Sequence, residues 1–80
     1  MRIDRFLKVS RIIKRRTIAK EMADQGRIKV NDKVIKSSSK VQIGDILEVT
    51  FGNRTIKARI LNLLETTKKA EAQELYELVD

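Results

Sequence analysis

The sequence predicts an α+β fold in which two short N-terminal helices pack against a small, mainly antiparallel sheet and a further helix follows near the C-terminus. Apolar residues recur at helical spacing before residue 25 and again after residue 70, whereas they alternate with polar residues between residues 27 and 60. A chain of 80 residues can bury one small core. We therefore expect one domain over residues 1–64 and a C-terminal helix over residues 65–80 that packs on the domain or extends it.

The first helix is predicted over residues 2–8, because Ile3, Phe6 and Leu7 share one face at helical spacing. Three further apolar residues break that period and predict a connection tucked between the two helices: Val9, Ile12 and Ile13. The second helix is predicted to begin at Thr17, a good N-cap, and to end at Gly26, which takes a left-handed C-cap conformation without steric cost. Its apolar stripe is Ile18, Ala19, Met22 and Ala23.

Two hairpins are predicted after the second helix. The first joins residues 27–30 to residues 33–35 through Asn31 and Asp32, which tolerate the positive φ values of a type I′ turn. The second is built from alternating apolar residues that we expect in the core: Leu47, Val49, Phe51, Ile56, Ala58 and Ile60. The C-terminal helix is predicted from the spacing of Ala72, Leu75, Tyr76 and Val79, with an acidic face formed by Glu71, Glu74 and Glu77.

The chain carries a formal net charge of +7, and its first twenty residues hold eight basic side chains and one acid. This concentration predicts a nucleic-acid partner; a membrane surface fits less well, because the basic segment lacks Trp and a large apolar face. The chain has no Cys and no His, which removes the commonest general base and the thiol chemistry. We expect no enzymatic activity, no cofactor and no metal. No apolar run spans a membrane, so a cytoplasmic location is expected.

Four basic residues lie just before the predicted start of the second helix, where unpaired backbone N–H groups and the helix dipole favour an anion: Arg11, Lys14, Arg15 and Arg16. Cations at this end of a helix oppose its dipole and lower the stability of the helix. A bound phosphate would reverse that loss of stability, so the cations predict a phosphate site. A solvated basic loop is the alternative. With only three aromatic residues, the chain suits folded RNA better than stacked single-stranded bases. The predicted RNA-binding residues are Arg2, Arg5, Lys8, Arg11, Lys14, Arg15, Arg16 and Lys20, with secondary contacts from Arg27, Lys29, Lys33, Ser38 and Lys40.

Asp4 is the one acid among the first twenty residues. An isolated acid in a basic segment usually serves as a local charge partner. We therefore expect Asp4 to orient an arginine, and Arg16 is the favoured candidate.

Residues 2–7, 16–31 and 41–45 together resemble the S-four RNA-binding domain, named after ribosomal small-subunit protein four. The resemblance covers about residues 1–50. Asp32 replaces the usual Gly of Asn-Gly, and Ile43 stands where Pro is common before Gly-Asp; both departures affect turn stiffness. The resemblance implies two helices and a small sheet that dock on structured RNA, with Arg2 and Arg16 on the RNA face.

The start of the chain, the Ile-Lys-Arg-Arg-Thr run and the late Thr-Thr-Lys-Lys resemble the RqcP family, which is related to the fifteen-kilodalton heat-shock protein. This resemblance implies binding to large-subunit rRNA and peptidyl-tRNA on an obstructed large ribosomal subunit. It also implies support of alanine tailing by an RqcH-type tailing factor. We expect a monomer.

Three other functions stay open. One is recycling of stalled large subunits, as in the fifteen-kilodalton heat-shock protein family. Another is an accessory subunit whose acidic C-terminal helix recruits an enzyme. DNA binding through a helix-turn-helix is disfavoured, because Glu21 and Asp24 share the exposed face of the second helix with Lys20 and would repel a major-groove approach.

Overall fold

The computed structural model describes residues 1–64 and 72–79. The elements in this part of the chain are, in order, α1 (Ile3–Val9), α2 (Arg16–Asp24), β1 (Ile28–Val30), β2 (Lys33–Val34), β3 (Ile46–Phe51), β4 (Arg54–Ile60) and β5 (Tyr76–Leu78). No helix among the described residues is long and apolar enough to cross a membrane.

The strands form one sheet in the order β2-β1-β3-β4-β5, and every neighbouring pair is antiparallel. Alternate side chains enter the core, as the buried-exposed-buried pattern of β1 illustrates. Both helices bury their apolar faces in the same cluster, to which α1 contributes the fully buried Ile3, Phe6 and Leu7. The predicted α+β fold, with two N-terminal helices against a small antiparallel sheet, is confirmed.

The predicted N-cap of α2 is wrong. Arg15 occupies the N-cap position in an extended conformation, and its carbonyl accepts the Ala19 N–H at 3.1 Å. Thr17 consequently lies inside the first turn, where its hydroxyl makes no cap. The helix begins one residue before Thr17, at Arg16, whose side chain contacts a carboxylate of α1, as described below.

The far end of α2 follows the prediction closely. Gly26 has φ 75°, its N–H donates to the Ala23 carbonyl, and the Arg27 N–H donates to the Met22 carbonyl, both at 3.0 Å. This pair of hydrogen bonds is the Schellman arrangement that a left-handed glycine allows. The predicted apolar stripe is too wide, however, because Ile18 is 41% exposed whereas Met22 and Ala23 are buried.

The turn between β1 and β2 has the predicted type I′ character, with φ 52° at Asn31 and 68° at Asp32. The Asn31 side chain also fastens this turn to the start of β3. Its amide donates to the Asp45 carboxylate at 3.2 Å, and its oxygen accepts the Ile46 N–H at 3.0 Å. The turn residues therefore connect two hairpins as well as closing one.

The predicted C-terminal helix is wrong at residues 76–78, which form a strand, whereas residue 72 is helical and residues 73–75 form a turn. Residues 76–78 form β5, which pairs with β4 so that Tyr76 lies opposite Ile60 and Leu78 opposite Ala58. Strand β4 would otherwise present unpaired N–H and C=O groups, and Tyr76-Glu77-Leu78 suits a pleated edge. Over so few residues, apolar spacing fits a helix and a strand equally well.

The described part of the predicted acidic face, Glu74 and Glu77, is not helical. Glu77 lies on the sheet, where its Oε1 accepts Arg59 Nη1 at 2.6 Å, while Glu74 is exposed and Glu71 lies outside the described residues. The fully buried Leu75 joins the core cluster. The proposed boundary between residues 64 and 65 stays a prediction.

Candidate nucleic-acid interface

The two helices begin beside each other, and one buried carboxylate joins their first residues. Asp4, in the first turn of α1, is only 3% exposed. Its Oδ2 accepts Arg2 Nη2 at 3.1 Å and Arg16 Nε at 3.3 Å, and its Oδ1 accepts the Arg5 backbone N–H at 2.7 Å. The expected pairing of Asp4 with Arg16 is therefore present, and Arg2 shares the same carboxylate.

Both guanidinium groups remain open to solvent on the side away from this carboxylate. The side chains of Arg2 and Arg16 are 48% and 44% exposed, whereas that of Asp4 is 4% exposed. Arg16 turns Nε and Nη2 towards Asp4, the latter at 3.4 Å from Oδ1, so more than half of its five N–H donors have no acceptor among residues 1–64 and 72–79. A carboxylate that holds two arginines fixes their orientation and leaves the group with a net positive charge.

Backbone hydrogen bonds hold the loop formed by residues 36–40 against the first turn of α1. The N–H groups of Ile3 and Asp4 donate to the carbonyls of Ser39 at 2.8 Å and Ser37 at 3.3 Å, and Arg2 forms an isolated antiparallel bridge with Lys40. The first N–H groups of α1 are thereby occupied by the protein itself. We call Arg2, Asp4, Arg16 and loop 36–40 the arginine corner.

The N-terminus of α2 differs from that of α1 in this respect. No side chain of the described residues caps it, and the cations Arg15 and Arg16 lie where the helix dipole is already positive. Such an arrangement lowers the stability of the helix when the site is empty. An anion bound here receives both the open N–H groups and the guanidinium donors.

The predicted primary residues lie along one continuous part of the chain, and all are exposed except Arg5, which is half-buried. In chain order they lie at the N-cap of α1, on α1, on the connection between the helices and on α2: Arg2, Arg5, Lys8, Arg11, Lys14, Arg15, Arg16 and Lys20. Their contact with RNA stays a prediction.

The predicted secondary residues do not form one surface. Ser38 and Lys40 belong to the arginine corner. Arg27 follows the opposite end of α2, about 14 Å from its start along the axis of a nine-residue helix. Lys29 lies between two buried residues of β1 and therefore extends from the sheet face away from the core, while Lys33 lies on the edge strand β2.

Two further cations share the outer sheet face with Lys29, and the site prediction omitted them. Cross-strand register places Lys57 opposite Glu48, and their Nζ and Oε1 atoms are 3.7 Å apart; Arg59 is opposite Glu77. Both residues alternate with Ile56, Ala58 and Ile60 in the sequence, which indicates that they point outward. Because Lys57 and Arg59 each have an acidic partner, the outer sheet face is close to charge balance, whereas the arginine corner has a net positive charge.

Among residues 1–64 and 72–79, no three side chains of the metal-binding types cluster. The Asp45 carboxylate supports turns instead, since it accepts the Gln42 N–H at 2.9 Å as well as the Asn31 amide.

Residues 1–47, more than half of the 80-residue chain, match the family model of the S4 domain. The chain therefore belongs to the S4 domain family, the S-four RNA-binding domain that its motifs predict. Within it, two curated relatives are named RQC P-site tRNA stabilizing factor. The Streptococcus pneumoniae protein is 51% identical over 99% of this chain and 90% of its own length, and the Bacillus subtilis protein is 53% identical over 99% and 92%.

A solved structure has the same fold. Heat shock protein 15 of Vibrio cholerae, which is trimeric in that structure, superposes with a TM-score of 0.91 at 28% identity, over 99% of this chain and 81% of that chain. Both resemblances stated from the sequence, to the RqcP family and to the heat-shock family, are confirmed.

Proposed function

We propose that this chain is a non-catalytic RNA-binding factor of ribosome-associated quality control. It binds large-subunit rRNA and peptidyl-tRNA on obstructed large ribosomal subunits in the cytoplasm. There it supports C-terminal alanine tailing of stalled nascent chains by an RqcH-type tailing factor. The two relatives above support this proposal, because both match nearly the whole chain and are named for stabilizing P-site tRNA.

The observation that carries the RNA-binding part of the proposal is the buried carboxylate between two exposed arginines. A single arginine would neutralise Asp4, yet two are held there, and both keep free donors on the solvent side. A guanidinium group grips a phosphate with two parallel N–H bonds, which an ammonium group cannot reproduce. The arginine corner is therefore suited to a sugar-phosphate backbone.

The proposed mechanism is binding without chemistry. Arg2 and Arg16 hold phosphates at the arginine corner, and the uncapped N-terminus of α2 and the exposed cations of the helix connection extend the contact. If about five phosphates are neutralised, the logarithm of affinity falls with the logarithm of salt concentration at a slope on the order of −4.

Replacing Arg16 with Ala should weaken binding to tRNA and to purified large ribosomal subunits by about 1 to 3 kcal/mol. The salt slope should become shallower by about one unit, because one phosphate contact is lost. The Tm should stay nearly unchanged, since Arg2 and the Arg5 N–H still satisfy Asp4. Fluorescence anisotropy at several salt concentrations measures the first two quantities, and a thermal melt measures the third.

Arg59→Ala is the matched control, because Arg59 is 49% exposed and pairs with a carboxylate, as Arg16 does, but lies on the outer sheet face. It removes the same charge and should change the affinity by less than about threefold. Equal losses in both variants would show that net charge alone decides binding, and no loss in a folded Arg16→Ala protein would remove Arg16 from the site.

We also propose that the chain acts as a monomer, although heat shock protein 15 is trimeric in its solved structure. The hydrophobic core is formed within one chain, because its buried residues come from both helices and from the sheet of that chain. Sedimentation velocity at micromolar concentration should give the mass of one chain. A mass of three chains that persists on dilution would contradict this proposal.

A further inference from the structure

Arg11 holds a backbone conformation that its residue type disfavours. Its φ is 64°, in the left-handed region that glycine enters freely and other L-residues enter only with strain. Asn31 and Asp32 also have positive φ values, but their short polar side chains suit a tight turn. A long side chain without such local hydrogen bonding has no comparable reason to be there.

Packing on both sides imposes this conformation. Ser10 is 2% exposed and Ile13 is 4% exposed, so both are held in place. The Arg11 N–H donates to the Lys8 carbonyl at 3.0 Å, and the Ile13 N–H donates to the Leu7 carbonyl at 3.1 Å. The chain must leave α1 and return Ile13 to the core at once, and a left-handed residue at position 11 permits this. Folding alone favours Gly at such a position.

Contacts within the described chain do not explain why Arg occupies this position. The Arg11 side chain is exposed, and it makes no ion pair or side-chain hydrogen bond with any described residue. The dipole of α1 favours a cation near its C-terminus, but Lys8 already lies in the last turn. The connection that carries Arg11 leads directly to Arg16 and the arginine corner.

We propose, building on the RNA-binding function above, that Arg11 contacts an RNA phosphate and that the left-handed turn presents its guanidinium group to that phosphate. Strained backbone persists where the surrounding structure enforces it, and it concentrates at binding sites. The chain thus keeps an arginine at a position where glycine would give a more stable protein. This residue trades folding stability for affinity.

The test is Arg11→Gly, with total tRNA as the probe. The variant should melt about 4 °C higher, because the strain is removed, and should bind about tenfold more weakly with a salt slope shallower by about one unit. Lys14→Gly is the matched control for stability, because it removes the same charge from the same connection without a positive φ, and it should melt lower than the parent protein. Arg11→Lys, which keeps both charge and strain, should retain the parent Tm but lose part of the affinity, because an ammonium group cannot form two parallel bonds to the phosphate.

The outcomes distinguish the role of Arg11 from the RNA-binding function of the chain. Unchanged affinity in Arg11→Gly, together with weak binding by Arg16→Ala, overturns the role of Arg11 and leaves the RNA-binding function intact. Unchanged affinity in both variants overturns the function as well. If Arg11→Gly and Arg11→Asn both have a lower Tm than the parent protein, the turn is not strained. That result overturns the proposal that Arg11 lowers folding stability in return for affinity.

Discussion

Replacing Asp4 with Asn should weaken RNA binding although it raises the net charge of +7 by one unit. The amide cannot hold two guanidinium groups, so Arg2 and Arg16 lose their fixed orientation and must be ordered by the RNA instead. Ordering two long side chains costs about 1 to 2 kcal/mol of affinity. The protein should also lose about 1 to 3 kcal/mol of unfolding free energy, because Asp4 is buried and accepts three donor groups. Urea melts and anisotropy with tRNA measure the two effects.

Asp24→Asn is the matched control for charge, since Asp24 is an exposed carboxylate at the last position of α2. It makes the same change in net charge and should leave the affinity unchanged or slightly increase it. If Asp4→Asn also bound RNA more tightly, Asp4 would not be a positioning residue. The arginine corner would then act only as a concentration of charge.

Replacing Leu75 with Ala should destabilise the protein by about 2 to 4 kcal/mol, which lowers the Tm by about 10 to 20 °C. Leu75 is fully buried in the core cluster, and its carbonyl accepts the Leu61 N–H at 2.8 Å. The cavity left by the substitution lies under the sheet edge where β4 meets β5. Differential scanning calorimetry measures the change.

Leu78→Ala provides the comparison for that experiment. Leu78 lies only three residues further along and is 69% exposed, so the same substitution should change the unfolding free energy by less than about 0.5 kcal/mol. Similar losses for the two variants would mean that residues 72–79 do not pack as described. A marginal effect of Leu75→Ala would have the same meaning.

The main elements were predictable where local chemistry and apolar period agree. The face formed by Ile3, Phe6 and Leu7, the end of α2 at Gly26 and the turn at Asn31 and Asp32 each have two independent local signals. In each case the structure contains the predicted element. Such agreement between residue preference and pattern is what makes a local prediction reliable.

The errors arise where a distant partner decides the conformation. Residues 76–78 become a strand because β4 has a free edge, and nothing within three residues indicates that edge. Thr17 lies inside the first turn because α2 begins at Arg16, whose side chain contacts Asp4 of α1. Ile18 had the right residue type for a core but lies outside the face that α2 buries.

About half of the arginine corner could be predicted. The isolation of Asp4 among cations indicated a pairing with Arg16, whereas Arg2 was predicted only as an RNA contact and not as a partner of the same carboxylate. The docking of loop 36–40 could not be predicted, because it depends on backbone groups, which every residue type carries. For the same reason, the sequence did not separate Lys29 from Lys40 as candidate contacts.

The backbone hydrogen bonds between the first turn of α1 and loop 36–40 couple two segments that are far apart in sequence. The N–H groups of Ile3 and Asp4 lose their acceptors if the loop detaches, so the two segments open as one cooperative unit. A ligand gripped by Arg2 therefore suppresses local unfolding at Ser37 and Ser39 as well. Occupancy of the arginine corner is thermodynamically linked to the order of a loop that needs no direct contact with the ligand.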